Sequence, residues 1–199
     1  MRIGILGGTF DPVHVGHLAA ARAAIECAGL DRVVFVPTGE PPHRSAALAG
    51  AKHRLEMTRL AIDSEKALEV SDVEIRRGGI SYTADTLKEL KNIYPRDELF
   101  LILGWDAARL FATWRLPDQI TRLATVVVVT RPGSGEADSA ALRTAGLDPK
   151  RTVLCARETP DISGSELRDA IASGQPVGDR LPQAVLEYIA RNRLYGDNQ

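Results

Sequence analysis

The chain predicts an α/β fold, a doubly wound parallel sheet of the Rossmann-like kind, and three observations carry that prediction. Short apolar runs at Ile3–Leu6, Val33–Val36, Glu98–Leu103 and Ala124–Thr130 suit strands buried on both faces. Helical patterns lie between them, so that Ile3 to Val36 reads as strand, helix, strand, a βαβ unit with a right-handed crossover. Glycines follow the strands directly, Gly7-Gly8 after the first and Gly104 after Leu103, where the backbone of such sheets meets ligands. No repeat, low-complexity tract or linker interrupts the pattern, and 199 residues suit one domain, read here as residues 1–199.

Composition excludes several classes. With 44% hydrophobic and 26% charged residues and a formal net charge of −1, the chain reads as an ordinary globular protein with no general affinity for nucleic acid or acidic membranes. No apolar run approaches the ~20 residues of a membrane span. The chain enters Ile3-Gly4-Ile5-Leu6 at once, so no signal peptide is expected. Cys27 and Cys155 follow no metal or C-x-x-C spacing and are expected to be reduced, buried residues of a cytoplasmic protein.

Taken in order, the first strand should end at Gly7. Gly7 and Gly8 permit close approach of a ligand, and Asp11-Pro12 has the composition of an N-cap with proline in the first helical turn. A helix start offers free N–H groups and the positive end of a dipole, an anion site. His14 and His17 are three apart and share a face on a helical turn, where imidazoles can donate to phosphate oxygens. The turn is neither a dinucleotide fingerprint nor a Walker loop. Leu18–Ala28 should be helical with Gly29 as its stop.

The stretch Pro37 to Arg44, with its prolines and Gly39, must be a loop at a strand end, and it could bring His43 and Arg44 to the first site. Lys52–Ser64 reads as an amphipathic helix with Leu55, Thr58, Leu60 and Ile62 inward and His53 and Arg54 on the surface. Leu68–Ile75 alternates and predicts a half-exposed strand near the sheet edge. Thr83 has the composition of an N-cap for a helix running to Ile93. Asp106, just past a strand end, is well placed to accept from ribose hydroxyls, and Arg131, past another, could meet phosphate or carboxylate. Trp114 is either a flat partner for an aromatic ring or a core residue. Residues 134–149 should hold a peripheral helix with loops, and Val153-Leu154 a last short strand. Ser163 and Glu166 fit a capping box, so a helix starts there, and Ser165 and Arg168 add a hydroxyl and a guanidinium suited to polyphosphate. Pro182–Leu194 closes the chain as a helix.

The run Gly-Gly-Thr-Phe-Asp-Pro-Val-His-Val-Gly-His, Gly7 to His17, resembles the signature of the nucleotidyltransferase superfamily that carries an H-x-G-H motif. Its Gly-Gly-(Ser/Thr)-Phe-Asp-Pro form is similar to the bacterial nicotinate mononucleotide adenylyltransferase family. Pro-Pro-His-Arg at 41–44, Tyr-Thr-x-Asp-Thr-Leu at 82–87, Gly-x-Asp at 104–106 and Ile-Ser-x-x-x-x-Arg at 162–168 follow in that family's order over nearly the whole length.

The resemblance implies transfer of an adenylyl group from ATP to nicotinate mononucleotide, giving nicotinate adenine dinucleotide and pyrophosphate, by direct in-line attack. It implies His14, His17 and Arg168 as catalytic residues. ATP would be held by Gly7, Gly8, Thr9, Phe10, His43, Gly104, Asp106, Ile162, Ser163 and Ser165. Nicotinate mononucleotide would be held by Thr38, Arg44, Tyr82, Thr83, Thr86, Trp114 and Arg131. Mg²⁺ is expected to arrive with ATP, held by phosphate and water, because no carboxylate cluster forms a protein cage. A homo-oligomer is left open. The chain departs from the family at Trp105, Pro117 and Gly164, where small, aromatic and serine residues are usual. Three rivals stay open: a phosphopantetheine adenylyltransferase, a preference for nicotinamide mononucleotide, and a non-catalytic nucleotide sensor.

Overall fold

The structure is a computed structural model that describes residues 1–41, 47–130, 137–157 and 159–196. Six strands, β1 (Arg2–Gly8), β2 (Arg32–Pro37), β3 (Leu68–Val70), β4 (Glu98–Gly104), β5 (Ala124–Val129) and β6 (Thr152–Cys155), form one sheet. It is parallel throughout, in the order β3-β2-β1-β4-β5-β6. Chain progression reverses between β1 and β4, and in open α/β sheets ligands bind beyond the strand ends at that reversal. The register pairs Gly8 with Pro37 and Gly104 with Val129, so these four strands end nearly level and present their turns together.

Both faces of the sheet are covered, as the continuous apolar runs require. Strand residues alternate between two cores. Leu6, Val33, Phe35, Phe100, Ile102 and Val127 enter one, with α1 (Val15–Ala28), α2 (Ala51–Ile62), α8 (Gly164–Ala172) and α9 (Gln183–Arg191). Ile3, Ile5, Val34, Val36, Leu99, Leu101 and Val126 enter the other. It is shared by α3 (Val73–Arg77), α4 (Thr83–Ile93), α5 (Trp105–Ala108), α6 (Pro117–Leu123) and α7 (Ser139–Thr144). Among the described residues no helix is long and apolar enough to cross a membrane.

The first helix ends as expected, with Gly29 left-handed at φ 57° and bonded back to Ile25. Its start differs from expectation. The N-cap is His14, not Asp11, and the Asp11-Pro12 peptide, which is cis, lies before the helix in a turn where Phe10 has φ 50°. The predicted strand Leu68–Ile75 shortens to three residues followed by α3. Its partner β2 ends at Pro37, which has no N–H to continue the ladder, and the chain turns at Ser71-Asp72. On α2 the inward stripe is Arg54, Met57, Thr58, Ala61 and Ile62, so Arg54, expected on the surface, is among the most deeply buried side chains. Tyr82 rather than Thr83 caps α4, and α8 starts at the expected place, but without a side-chain cap bond from Ser163.

Cys27 and Cys155, expected to be reduced, are joined in a disulfide. Packing of α1 against β6 brings their Cα atoms to 5.7 Å, and nothing in a separation of 128 residues announces it. Closing so long a loop restricts the unfolded chain strongly. Cys27→Ser, which alters the exposed partner, is expected to lower the unfolding free energy by about 2–4 kcal/mol. Urea unfolding of the oxidised protein beside the variant measures the difference.

Candidate active site

The site is built where β1 ends. A Cβ on Gly7 would meet no atom within 4 Å, nor would one on Gly104, so the space beyond both strand ends is open rather than filled by the fold. Gly8 is different. A Cβ there would lie 2.8 Å from the Phe10 ring, so glycine is required for Phe10 to fold back. The Phe10 ring then packs edge-on against His17 at 4.9 Å and against Phe35 at 5.5 Å, fixing the turn to the end of β2.

His14 and His17 stand together at the start of α1. Their rings stack with centroids 3.7 Å apart, and the His14 backbone N–H donates to His17 Nδ1 at 3.2 Å. A nitrogen that accepts this bond carries no proton, so the neutral ring keeps its proton on Nε2 and can donate from there. Burial of the ring, and secondarily the neighbouring His14, hold the His17 pKa well below the ordinary histidine value. Because the folded pKa is depressed, the neutral ring contributes stability that is complete above the unfolded pKa of about 6.5 and declines as pH falls below it.

The helix predicted at Ser163 arrives beside this turn from the far end of the chain. Arg168 Nη1 donates to the Asp11 carbonyl at 2.7 Å across 157 residues of sequence. A Cβ on Gly164 would stand 3.5 Å from that same carbonyl, and one on Gly16 would stand 3.3 Å from the Pro160 carbonyl. The Ser163 and Ser165 hydroxyls are 2.7 Å apart at the exposed start of α8. Ile162 packs against the core beside them. The two helix starts therefore share one small region, with two histidines on one side and a guanidinium and two hydroxyls on the other. That set can donate to anionic oxygens.

Asp11 is 7% exposed and holds the turn rather than capping the helix. Its carboxylate accepts from the Leu48 and Ala49 backbone N–H groups at 2.9 and 3.1 Å and from the Tyr195 hydroxyl at 2.6 Å. Burial, and then the bond to Asp11, push the Tyr195 phenol far above its usual range. The Arg54 guanidinium lies behind the same turn, donating to the carbonyls of Thr9, Thr38, Gly39 and Ala49.

A second wall lies toward α4. The Glu40–Ile80 bridge and the bond from the Ser81 N–H to the Glu40 carbonyl bring the loop of Thr38 against Tyr82. The Arg115 guanidinium sits 4.5 Å from the Tyr82 ring centroid and 3.6 Å from Asp85, fastening the Trp114 segment over the start of α4. Trp114 is half-buried and packs on Phe111 at 5.6 Å. Thr83 is half-buried in the first turn of α4. Thr86 faces inward: its hydroxyl donates to Glu74 at 2.6 Å and accepts from Arg77 at 3.0 Å. Asp106 follows β4 in the first turn of α5 and pairs with Arg109 at 3.3 Å, while Trp105 is buried in the core below. His43, Arg44 and Arg131 lie outside the described residues.

Sequence reasoning missed Arg54, Tyr195, Arg115 and the role of Asp11. Arg54 left a readable signal, since positions 54, 57, 58 and 61 share a helical stripe whose other members are small or apolar. Tyr195 and Arg115 left none.

A sheet of this order, with two helix starts meeting at its reversal point, is an open α/β architecture of the class that binds ligands at that place. Residues 5–170 match the family model described as cytidylyltransferase-like. A Dehalococcoides mccartyi protein named "Probable nicotinate-nucleotide adenylyltransferase" is 40% identical over 199 residues, covering 98% of this chain and 97% of its own. A Thermus thermophilus protein of the same name is 41% identical over 195 residues, covering 98% and 100%. The fold matches that of a Plasmodium falciparum nicotinic acid mononucleotide adenylyltransferase complexed with NaAD, with TM-score 0.79, 20% identity and coverage of 98% and 97%. The chain belongs to the cytidylyltransferase-like family, among the nicotinate-nucleotide adenylyltransferases.

The depressed His17 pKa leads to an expected titration. His17 is expected to remain neutral below the ordinary histidine pKa of about 6.5 by histidine NMR, and the stability of the protein to decline as pH falls below that value, with a shallower decline in His17→Asn. Chemical denaturation across that range measures it.

Proposed function

We propose that this chain transfers the adenylyl group of ATP to nicotinate mononucleotide, forming nicotinate adenine dinucleotide and pyrophosphate. The observation that carries the reading is the Arg168–Asp11 contact, which unites the histidine turn and the α8 start into one anion site at the sheet's reversal point. Relatives about 40% identical over the whole chain support the choice of reaction.

A 5′-phosphate is an anion at neutral pH and needs no general base, in keeping with the donor set described. Its oxygen attacks the α-phosphorus of ATP in line. The bond from that phosphorus to the bridging oxygen breaks, and pyrophosphate leaves with both electrons of the bond and its charge. Catalysis is then positioning and charge stabilisation. Neutral His17 donates from Nε2 to a phosphoryl oxygen, His14 supports it, and Arg168 with Ser163 and Ser165 takes the leaving pyrophosphate. Gly7, Gly8, Thr9 and Phe10 shape the turn against the triphosphate, the family resemblance assigns His43 to the same substrate, and Gly104 and Asp106 face the ribose. Thr38, Arg44, Tyr82, Thr83, Trp114 and Arg131 receive the acceptor, with Trp114 stacking on its ring. Thr86 acts from beneath, orienting the start of α4 through Glu74 and Arg77. Mg²⁺ belongs to the substrate as MgATP and offsets triphosphate charge. The ion is held by phosphate and water. A cytoplasmic location is part of the same proposal.

Pyrophosphate release with ATP and, in turn, nicotinate mononucleotide, nicotinamide mononucleotide and phosphopantetheine tests the acceptor. Turnover is expected with the first and at least tenfold less with the others; activity with none leaves a sensor. His17→Ala is expected to lower kcat by about 10²-fold or more, on the order of 3 kcal/mol, with the fold intact by circular dichroism. Near wild-type turnover would remove His17 from the mechanism.

A further inference from the structure

Arg54 is 1% exposed, and its guanidinium makes four hydrogen bonds to backbone carbonyls, none of them on its own helix. Nη1 donates to Thr9 at 2.7 Å, Nη2 to Thr38 at 2.6 Å and Gly39 at 3.0 Å, and Nε to Ala49 at 3.1 Å. Thr9 follows β1, Thr38 and Gly39 follow β2, and Ala49 precedes α2, so one side chain ties three separate segments. Burial pulls its pKa below the ordinary arginine value, and the charge of Asp11 opposes that pull more than any other neighbour.

If this position served only to fill space, an apolar side chain of similar length would do so without desolvating a charge. The fork does what an apolar chain cannot. It sets the spacing between the ends of β1 and β2 at the residues that lead into the site. Thr9 precedes Phe10, whose left-handed φ of 50° and ring contact place His17. Asp11 comes next, and its carbonyl receives Arg168 while its carboxylate receives the Leu48 and Ala49 amides and the Tyr195 hydroxyl. Thr38 also donates its backbone N–H to the Gly8 carbonyl, closing the link from the β2 side.

We propose that Arg54 is a positioning residue for adenylyl transfer, acting through the backbone of Thr9, Thr38 and Gly39 to hold the His17 and Arg168 groups in register, with the Tyr195–Asp11 bond fastening the same turn from the C-terminal segment. The proposal rests on the function reading above. Arg54 touches no substrate in this account. Its loss therefore acts on kcat through misplaced donors, while binding of either nucleotide, spread over many contacts, changes little.

The test compares Arg54→Lys, Arg54→Met and Tyr195→Phe with Met57→Ala, a control that removes a buried side chain one turn along the same helix and serves no site group. Each is measured for melting temperature, for kcat and KM toward ATP and nicotinate mononucleotide per folded molecule, and for the His17 ring resonances. The expected result is a kcat loss of 30-fold or more in Arg54→Lys and of 3- to 10-fold in Tyr195→Phe. KM values stay within threefold and the His17 resonances shift. Met57→Ala melts lower but keeps kcat within twofold and the resonances in place. If Arg54→Met does not fold, the lysine and phenylalanine variants decide. The proposal is overturned if Arg54→Lys keeps kcat within threefold, or if its kcat loss merely follows melting temperature as in Met57→Ala. Wild-type protein that turns over a different acceptor sinks the acceptor assignment alone, and the same comparison is then read on that acceptor. Wild-type protein inactive with every acceptor removes both.

Discussion

A buried cation must find acceptors, and in this fold the acceptors chosen for Arg54 include the carbonyls just past the ends of the neighbouring strands β1 and β2. The arrangement converts a solvation problem into a geometric constraint. Strand ends in an open sheet have no ladder beyond them, so their orphan carbonyls need partners just where the site requires open space. A side chain reaching from α2 behind the sheet supplies those partners without occupying the front. The open space in front of Gly7 and Gly104 is consistent with that division of labour.

The same economy governs Asp11. Its side chain takes three donors from two distant segments while its carbonyl takes Arg168, so one residue joins the first turn, the loop before α2, α8 and the C-terminal segment. The stacked histidines stand immediately beyond it. Burial favours the neutral form of His17, and a neutral imidazole with one nitrogen already accepting is a donor of defined direction. The electrostatics of the site thus follow from how the turn is packed.

The parallel sheet was legible because runs buried on both faces are apolar without interruption, and the helix start at 164 was legible from serine and glutamate chemistry, whereas the first helix was legible as a helix but not at its start. Errors arose where a local pattern had two solutions. Leu68 to Ile75 alternates like a strand, yet β2 offers pairing for only its first part. Asp11-Pro12 has the composition of a cap, yet the aspartate is drawn to partners elsewhere. Thr86, assigned with Tyr82 and Thr83 through family resemblance, points its hydroxyl into the Glu74–Arg77 network instead of outward.

What the amino-acid order determined by itself is the part of the protein written in short range: strand runs, turn glycines, helix starts and the donor chemistry they carry, since these depend on residues a few positions apart. What the tertiary structure alone decided is which distant groups complete them. Arg54 and Thr9 are 45 positions apart, Asp11 and Arg168 157, and Asp11 and Tyr195 184. Cys27 and Cys155 are separated by 128, and they meet only because α1 packs on β6. No periodicity spans such distances, because those partnerships arise when the sheet stacks its strands out of chain order and brings both ends of the molecule to the same edge.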